Sequence, residues 1–206
     1  MTALLFLNPA LAQEAIYAVC ADPICMDCEP ATIEAVLADS VLTGNYGAHL
    51  ALDGDQSTAW CEGVDGTGVG QSLSIALAEP ELIEAILIHG GYFKSASLLA
   101  ANGRIKAMTM VAENGMGGPR IDASFQLADP AQIPATDPCG APGTPSDMTS
   151  DAWFSRASTN NGALVWQNDG TFTEPMAGIN LTISDVFPGA KFADTCISEI
   201  QIFVRD

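Results

Sequence analysis

The stretch NYGAHLALDGDQSTAWCEG, residues 45–63, sets the reading of the whole chain. Asp53-Gly54-Asp55 places two carboxylates on either side of a residue that tolerates sharp turning, and the hydroxyls of Ser57 and Thr58 follow where they can cap a turn or face a cation. Trp60 and Cys61 then turn inward. A dense polar turn closed by a tryptophan and a cysteine reads as the structural hinge of a domain built from strands and loops.

Outward from this hinge the pattern is that of strands. Alternation of apolar and polar residues begins at Val36 and recurs at 72–77, 83–89, 104–112, 121–127, 163–167, 178–184 and 197–204, about eight segments in all. Turn residues separate them: Glu79-Pro80, Gly90-Gly91, Asn102-Gly103, Asn114-Gly115 and Phe187-Pro188-Gly189. The expected fold is all-β, a jelly-roll sandwich of antiparallel strands with long loops, over residues 36–206. Residues 129–150 interrupt the pattern with Pro130, Pro134, Pro138, Pro142 and Pro145 and read as a long surface insertion tied down by Cys139. Residues 14–35 form a cysteine-rich extension without a clear period. No internal repeat and no linker divides the rest.

Composition limits the function classes. A chain of 206 residues, 48% hydrophobic and 16% charged, has enough apolar material for one sizeable core. Twenty-five acidic residues against seven basic ones give a formal net charge of −18, and the cations are scattered, so a nucleic acid or an anionic membrane surface is repelled. The same acidity supplies oxygen ligands for hard cations. Residues 1–13 combine an apolar run with Ala10-Leu11-Ala12, the small-x-small pattern that precedes signal cleavage, although a basic n-region is missing. Export to the periplasm or outside the cell is the expectation, against the alternative of an N-terminal helix packed on the domain. No apolar run is long enough to span a membrane.

Six cysteines, Cys20, Cys25, Cys28, Cys61, Cys139 and Cys196, make an even count that suits up to three disulfides in an oxidising compartment. Spacing does not choose among the pairings. Cys61 and Cys196 each lie beside a strand-like core segment, where a bridge would join the two ends of one domain. The spacing of Cys20, Cys25 and Cys28 also equals that of a plant-type iron–sulfur ligand run, but Pro23, Ile24 and Met26 intervene where small residues are needed. A lone Cys25-x-x-Cys28 is weak support for zinc or thiol exchange.

Catalytic patterns are sparse. The chain has no H-E-x-x-H, G-x-S-x-G or P-loop lysine, and His49 and His89 are not spaced as paired ligands. Gly66-x-Gly68-x-Gly70 precedes a strand instead of joining strand to helix, which suits an edge loop better than a nucleotide cradle. His89 sits in an apolar strand and reads as a buried core residue. Asp53, Asp55 and Glu62 admit three readings: a hydrolase pair, turn capping, or cation binding. In the cation reading a structural calcium is held by Asp53, Asp55 and Thr58, with Glu199 as the distant ligand if a Cys61–Cys196 bridge brings the two regions together. For ligand contact the candidates are Tyr92, Lys94, Asn102, Arg104, Trp153 and Trp166, because sugars stack apolar faces on rings and offer hydroxyls to planar polar groups. Burial in the core is the alternative for the tryptophans, and plain solvation for the charged residues.

Four separated motifs, DGDQSTAWCEGVDGTGVGQSLSIAL, IEAILIHGGYFKS, NGRIK and DVFPGAKFADTCISEI, resemble the NADase-type glycan-binding, or translocation, domain, which is similar to discoidin-like, coagulation-factor type C modules of the galactose-binding superfamily. The resemblance covers residues 36–206 in order. It implies a jelly-roll sandwich, a carbohydrate-binding role and no NAD-cleaving site. It sets Asp53, Asp55, Thr58 and Glu199 where related folds hold a structural calcium, and Trp60 and Glu62 in the family's tryptophan–glutamate step. The chain departs from the family at Leu98 and Leu99, where a tyrosine is expected, and in the proline-rich insertion. The function expected is an exported, non-catalytic module that binds a glycan or cell-surface polysaccharide. The alternatives are a structural or adhesive envelope protein with a protein partner, and a hydrolase using the acidic turn.

Overall fold

The computed structural model describes residues 28–115, 118, 120–127, 129–131, 163–168, 170 and 172–205. Among these residues ten strands run in the order β1 (Glu29–Pro30), β2 (Ile33–Ala38), β3 (Trp60–Cys61), β4 (Ser72–His89), β5 (Arg104–Glu113), β6 (Arg120–Gln126), β7 (Ala163–Gln167), β8 (Met176–Phe187), β9 (Cys196–Ile197) and β10 (Glu199–Arg205). Among the described residues a 3-10 turn (Ala48–Ala51) and one short helix, α1 (Ala96–Ala101), lie in the loops. Every strand pairing is antiparallel.

The long strand β4 links two layers. Its first half pairs with β2 and β8, and β8 continues to β5 and β6; its second half pairs with β10 and β7. The expected turn at Glu79-Pro80 therefore does not end a strand; it is where the chain passes from one layer to the other. Pro80 falls between the registers Ala76↔Gly178 and Glu81↔Met176, in an interruption of the ladder where its missing N–H costs no bond. Gly178 is required in β8 because a Cβ there would sit 2.7 Å from the Ile75 carbonyl oxygen.

Alternation explains the core. Leu73, Ile75 and Leu77 of β4, Met108 and Met110 of β5, and Ile179, Leu181 and Ile183 of β8 point inward from one layer. Ile86 and Ile88 of β4 and Ile200, Ile202 and Val204 of β10 meet them from the other. Trp60 is fully buried in this cluster, and its indole N–H donates to the Ser40 carbonyl at 2.9 Å, so the ring enters the core without an unpaired polar atom.

One boundary differs from the sequence reading. The sandwich begins at Glu29, not Val36: β1 pairs with Val204 and Phe203, and β2 pairs with β4. Two residues beside Pro30 are too short a run to show a period, and a bulge between Ile33 and Ala35 breaks the alternation of β2. Cys28 is disulfide-bonded, which leaves no thiolate there for the cluster and zinc readings. Cys20, Cys25, Cys139 and Trp153 lie outside the described residues, as do residues 1–27 and all of the insertion beyond 129–131.

Candidate functional site

The strand registers gather several loops at one end of the sandwich. Trp60 lies opposite Ile197, Ser72 beside Thr182, Glu199 opposite His89, and Arg104 opposite Phe187. The loops 39–71, 90–103 and 188–198 meet there. Phe93 N–H donates to Ser198 Oγ at 2.9 Å, and Gly103 forms a bridge with Thr195. Cys61 and Cys196 are disulfide-bonded between β3 and β9, 135 residues apart in the chain.

The acidic turn occupies this end. Asp53 Oδ1 accepts from the Asp55 N–H at 2.9 Å and Asp55 Oδ1 from the Ser57 N–H at 2.8 Å, an Asx pattern with Gly54 at φ +77° between them. Thr58 Oγ1 lies 3.0 and 2.9 Å from the two Asp53 carboxylate oxygens, 2.8 Å from the Asp55 carbonyl and 3.4 Å from the Leu50 carbonyl. One hydroxyl proton can serve only one of these four acceptors. The result is a knot of oxygens with more lone pairs than protons. Glu199 closes it from the start of β10, with Oε2 accepting the Gly54 N–H at 2.9 Å. Burial pushes the Glu199 carboxyl up to about 7, the Asp53 and Asp55 charges add to the rise, and the Gly54 and Ile200 N–H groups oppose it.

This donor set fits a hard cation, which takes mixed carboxylate, carbonyl and hydroxyl oxygens. The roles differ from those the sequence suggests. Asp55 turns its carboxylate to Ser57, whose hydroxyl and N–H hold it below the usual range, and offers its carbonyl to the knot. Among the described residues no three His, Cys, Asp or Glu side chains converge on one point. A cation there would take carboxylate oxygens from Asp53 and Glu199 and neutral oxygens from Leu50, Asp55 and Thr58.

Glu62 is fully buried. Oε1 accepts the Thr195 N–H at 3.1 Å and Oε2 the Val64 N–H at 2.9 Å, so this carboxylate staples two loops. Gly68, at φ +69°, closes over it; a Cβ there would lie 2.3 Å from Glu62 Cγ. With both oxygens spent on backbone amides and no access to solvent, Glu62 cannot stand opposite Asp53 or Asp55 across a substrate. The hydrolase reading of this turn thereby loses Glu62 as one of its carboxylates.

The ligand candidates separate. Arg104 is buried, with Nε and Nη2 on the Asp129 carboxylate, Nη1 on the Leu99 and Asn102 carbonyls, and Nη2 also on the Pro188 carbonyl. Asn102 is buried too and donates Nδ2 to the Leu98 carbonyl at the end of α1. Both are pillars of the loop layer: the Arg104 guanidinium is consumed inside it, and the Asn102 amide nitrogen is bound to the helix end. Trp166 is half-buried on β7 against Phe172, with ring centroids 6.1 Å apart, and packs on the main core. Tyr92 packs beside the disulfide and meets Tyr46 edge to face at 6.2 Å. Lys94 is exposed and close enough to Asp55 to favour its charged form. Sequence reasoning missed Tyr46 and Phe192; the latter is 40% exposed on the loop between β8 and β9. An aromatic in a Pro-Gly loop was the available signal.

The profile of the NAD glycohydrolase translocation F5/8 type C domain matches residues 29–203. Among solved structures, the F5/8 type C domain of a Bacteroides fragilis protein superposes with a TM-score of 0.50 at 10% identity, covering 85% of this chain and 97% of that one. The CBM32-1 and CBM32-2 domains of Clostridium perfringens ZmpB give 0.51 at 12% identity, covering 85% of this chain and 36% of that one. A GH29 fucosidase from Ruminococcus gnavus in complex with fucose gives 0.49 at 14% identity; this chain is 84% covered and spans 25% of that one. No curated protein sequence matches the chain. At these identities the likeness to the Bacteroides fragilis and Clostridium perfringens domains shows the fold alone.

Proposed function

The chain belongs to the NAD glycohydrolase translocation F5/8 type C domain family, and from that premise we propose that it is an exported, non-catalytic module that binds glycan through the loop end of its sandwich. The observation that carries this reading is the loop layer itself. Three long loops are tied to one another by the Cys61–Cys196 bridge, the Glu62 staple and the Phe93–Ser198 hydrogen bond, and they present exposed polar and aromatic side chains on a rigid support. The CBM32 likeness of the fold and the family's type C character support carbohydrate as the ligand. Lys94 is retained as a contact residue and Phe192 joins it, whereas Tyr92 is buried beside the disulfide and supports the loops from below.

Export is supported by the disulfides at Cys61–Cys196 and at Cys28, which belong in an oxidising compartment. Among the described residues no helix is long and apolar enough to cross a membrane. Calcium is proposed as a structural cofactor held by Asp53, Thr58 and Glu199 with the Leu50 and Asp55 carbonyls. It would tie the acidic turn to β10 and leave the chemistry of recognition to the loops around it.

A shallow groove of about 420 Å³ on the outer face of β2, β4, β5 and β8, rimmed by Leu37 at 71% exposure, favours a second reading in which a protein partner docks there. Affinity electrophoresis of the full chain through gels carrying immobilised polysaccharides tests the first reading. Retardation by at least one polysaccharide is expected, and free migration through all of them overturns it.

A further inference from the structure

The outer face of the layer formed by β2, β4, β8, β5 and β6 serves neither the core nor the loop end, and the strand registers lay it out as two rows of side chains running across the strands. One row is Ala35, Ala76, Gly178 and Glu113, each paired with the next across β2, β4, β8 and β5. The other lies two residues along each strand: Leu37, Ser74, Asn180 and Val111. Their chain neighbours Val36, Ile75, Ile179 and Ala112 face the core, so both rows point away from it. Three of the four residues in the first row carry no atom beyond Cβ, and that row floors the groove of about 420 Å³. The second row stands beside it as a ridge headed by Leu37, the most exposed large hydrophobic among the described residues at 71%.

The chemistry of the two rows suits contact between like copies. Glu113 is their one ionised side chain, and it is bound to Arg120. In a chain of net charge −18, such a strip lets two copies approach with little local repulsion. The ridge has its polar groups partnered within its own sheet: Asn180 Nδ2 donates to Ser74 Oγ at 2.9 Å, and Asn180 Oδ1 accepts from Thr182 Oγ1 at 3.0 Å. Covering that amide therefore sacrifices little hydrogen bonding. A ridge lying beside a furrow of the same length and spacing is also self-complementary, which a two-fold pair requires. An axis running across the strands, midway between the rows, sets Leu37 on the partner's Ala35, Ser74 on the partner's Ala76, Asn180 on the partner's Gly178 and Val111 beside the partner's Glu113. An axis along the strands instead stacks floor on floor and ridge on ridge.

We infer that this face joins two copies of the chain into a symmetric pair, the ridge of each seated in the furrow of the other. The inference rests on the protein-partner reading of this groove and names that partner; glycan binding at the loop end is independent of it. With about 4.8 Å between strands and about 3.4 Å per residue along them, the two rows with a margin of one strand and one row cover roughly 500 Å² on each copy. The pair then buries on the order of 1,000 Å² in total, the size of a weak, reversible dimer. The axis across the strands leaves the two loop ends pointing apart, so one pair can hold two glycan chains and join them.

Sedimentation velocity of the full chain, from micromolar to near-millimolar concentration in low and in high salt, tests this. The weight-average mass is expected to rise toward that of two chains with concentration, and more so in high salt, where repulsion between the acidic copies is screened. Leu37→Glu should weaken the pair at least about tenfold with the thermal melt unchanged, because the side chain it replaces lies mostly in solvent. Val41→Glu, also exposed but off this face, should leave the pair intact. An equimolar mixture of Ala35→Cys and Leu37→Cys chains under mild oxidation should give the mixed disulfide in preference to either like pair. A wild type that stays monomeric throughout overturns the pair and leaves the groove to an unlike partner. Leu37→Glu that associates as wild type does, association that is lost as salt rises, or preferential self-linking of Leu37→Cys each overturns the ridge-in-furrow arrangement. The polysaccharide gels decide the glycan reading separately, since Leu37→Glu does not touch the loop end.

Discussion

Glu199, at the start of β10, accepts the backbone N–H of Gly54 across 145 residues of sequence, so the acidic turn is closed by the far end of the chain. The carboxyl that does this is buried and its pKa is pushed up from 4.5 to about 7. Folding therefore favours its protonated form. Without a cation, the stability it contributes is full below about 4.5 and is lost as pH rises through about 7. Chelated protein should lose up to about 3 kcal/mol from this group between those limits, and calcium should cancel the loss by favouring the carboxylate. Thermal melts of wild type and Glu199→Gln across pH 5–8, with and without chelator, check this. A wild-type profile identical to the variant's in chelator would contradict it.

His89 gives the opposite slope. Both ring nitrogens are buried without a hydrogen-bond partner among the described residues, the ring meets Phe93 edge to face at 5.3 Å, and burial lowers its pKa from 6.5 to about 4. The folded state prefers neutral imidazole, so this stability is present above about 6.5 and lost as pH falls through about 4. His89→Leu should remove that acid-side loss and, at pH 7, stabilise the fold by about 1 kcal/mol, because two unsatisfied polar atoms leave the interior. Urea denaturation at pH 5 and 7 measures both effects.

The Cys61–Cys196 bridge closes a loop of 135 residues. Chain entropy assigns such a closure roughly 4–5 kcal/mol. Replacing both cysteines by alanine should lower the denaturation midpoint accordingly, and a double variant as stable as wild type would show that the Glu62 and Glu199 ties suffice without it.

Arg104 holds the Asp129 carboxylate in a buried pair. Arg104→Met should cost about 3–5 kcal/mol by leaving that charge uncompensated. Asp129→Asn in the same background should recover part of the loss. A ligand-contact role for Arg104 would instead show as weakened glycan binding at unchanged stability.

The strands with five or more alternating residues were legible in the sequence, since Leu73, Ile75 and Leu77 or Ile179, Leu181 and Ile183 can reach one core only from a pleated chain. β1 and β3 were not, because two residues carry no period and their pairing is imposed by β10 and β9. The single strand through Pro80 was hidden by a residue that normally ends one. At the site, the polar turn was visible as a cluster, whereas the burial of Asn102 and Arg104 depends on Asp129, Leu98 and Pro188 arriving from elsewhere. The part played by Glu199 came through family resemblance and the prospect of a Cys61–Cys196 bridge; local spacing contains nothing of it.

A glycan array probed with the full chain, once in calcium and once in chelator, tests the central claim most directly. The account predicts selective binding to a subset of glycans in calcium, weakened in chelator as the turn under the loop layer loosens. No binding above background to any glycan in either condition would contradict it.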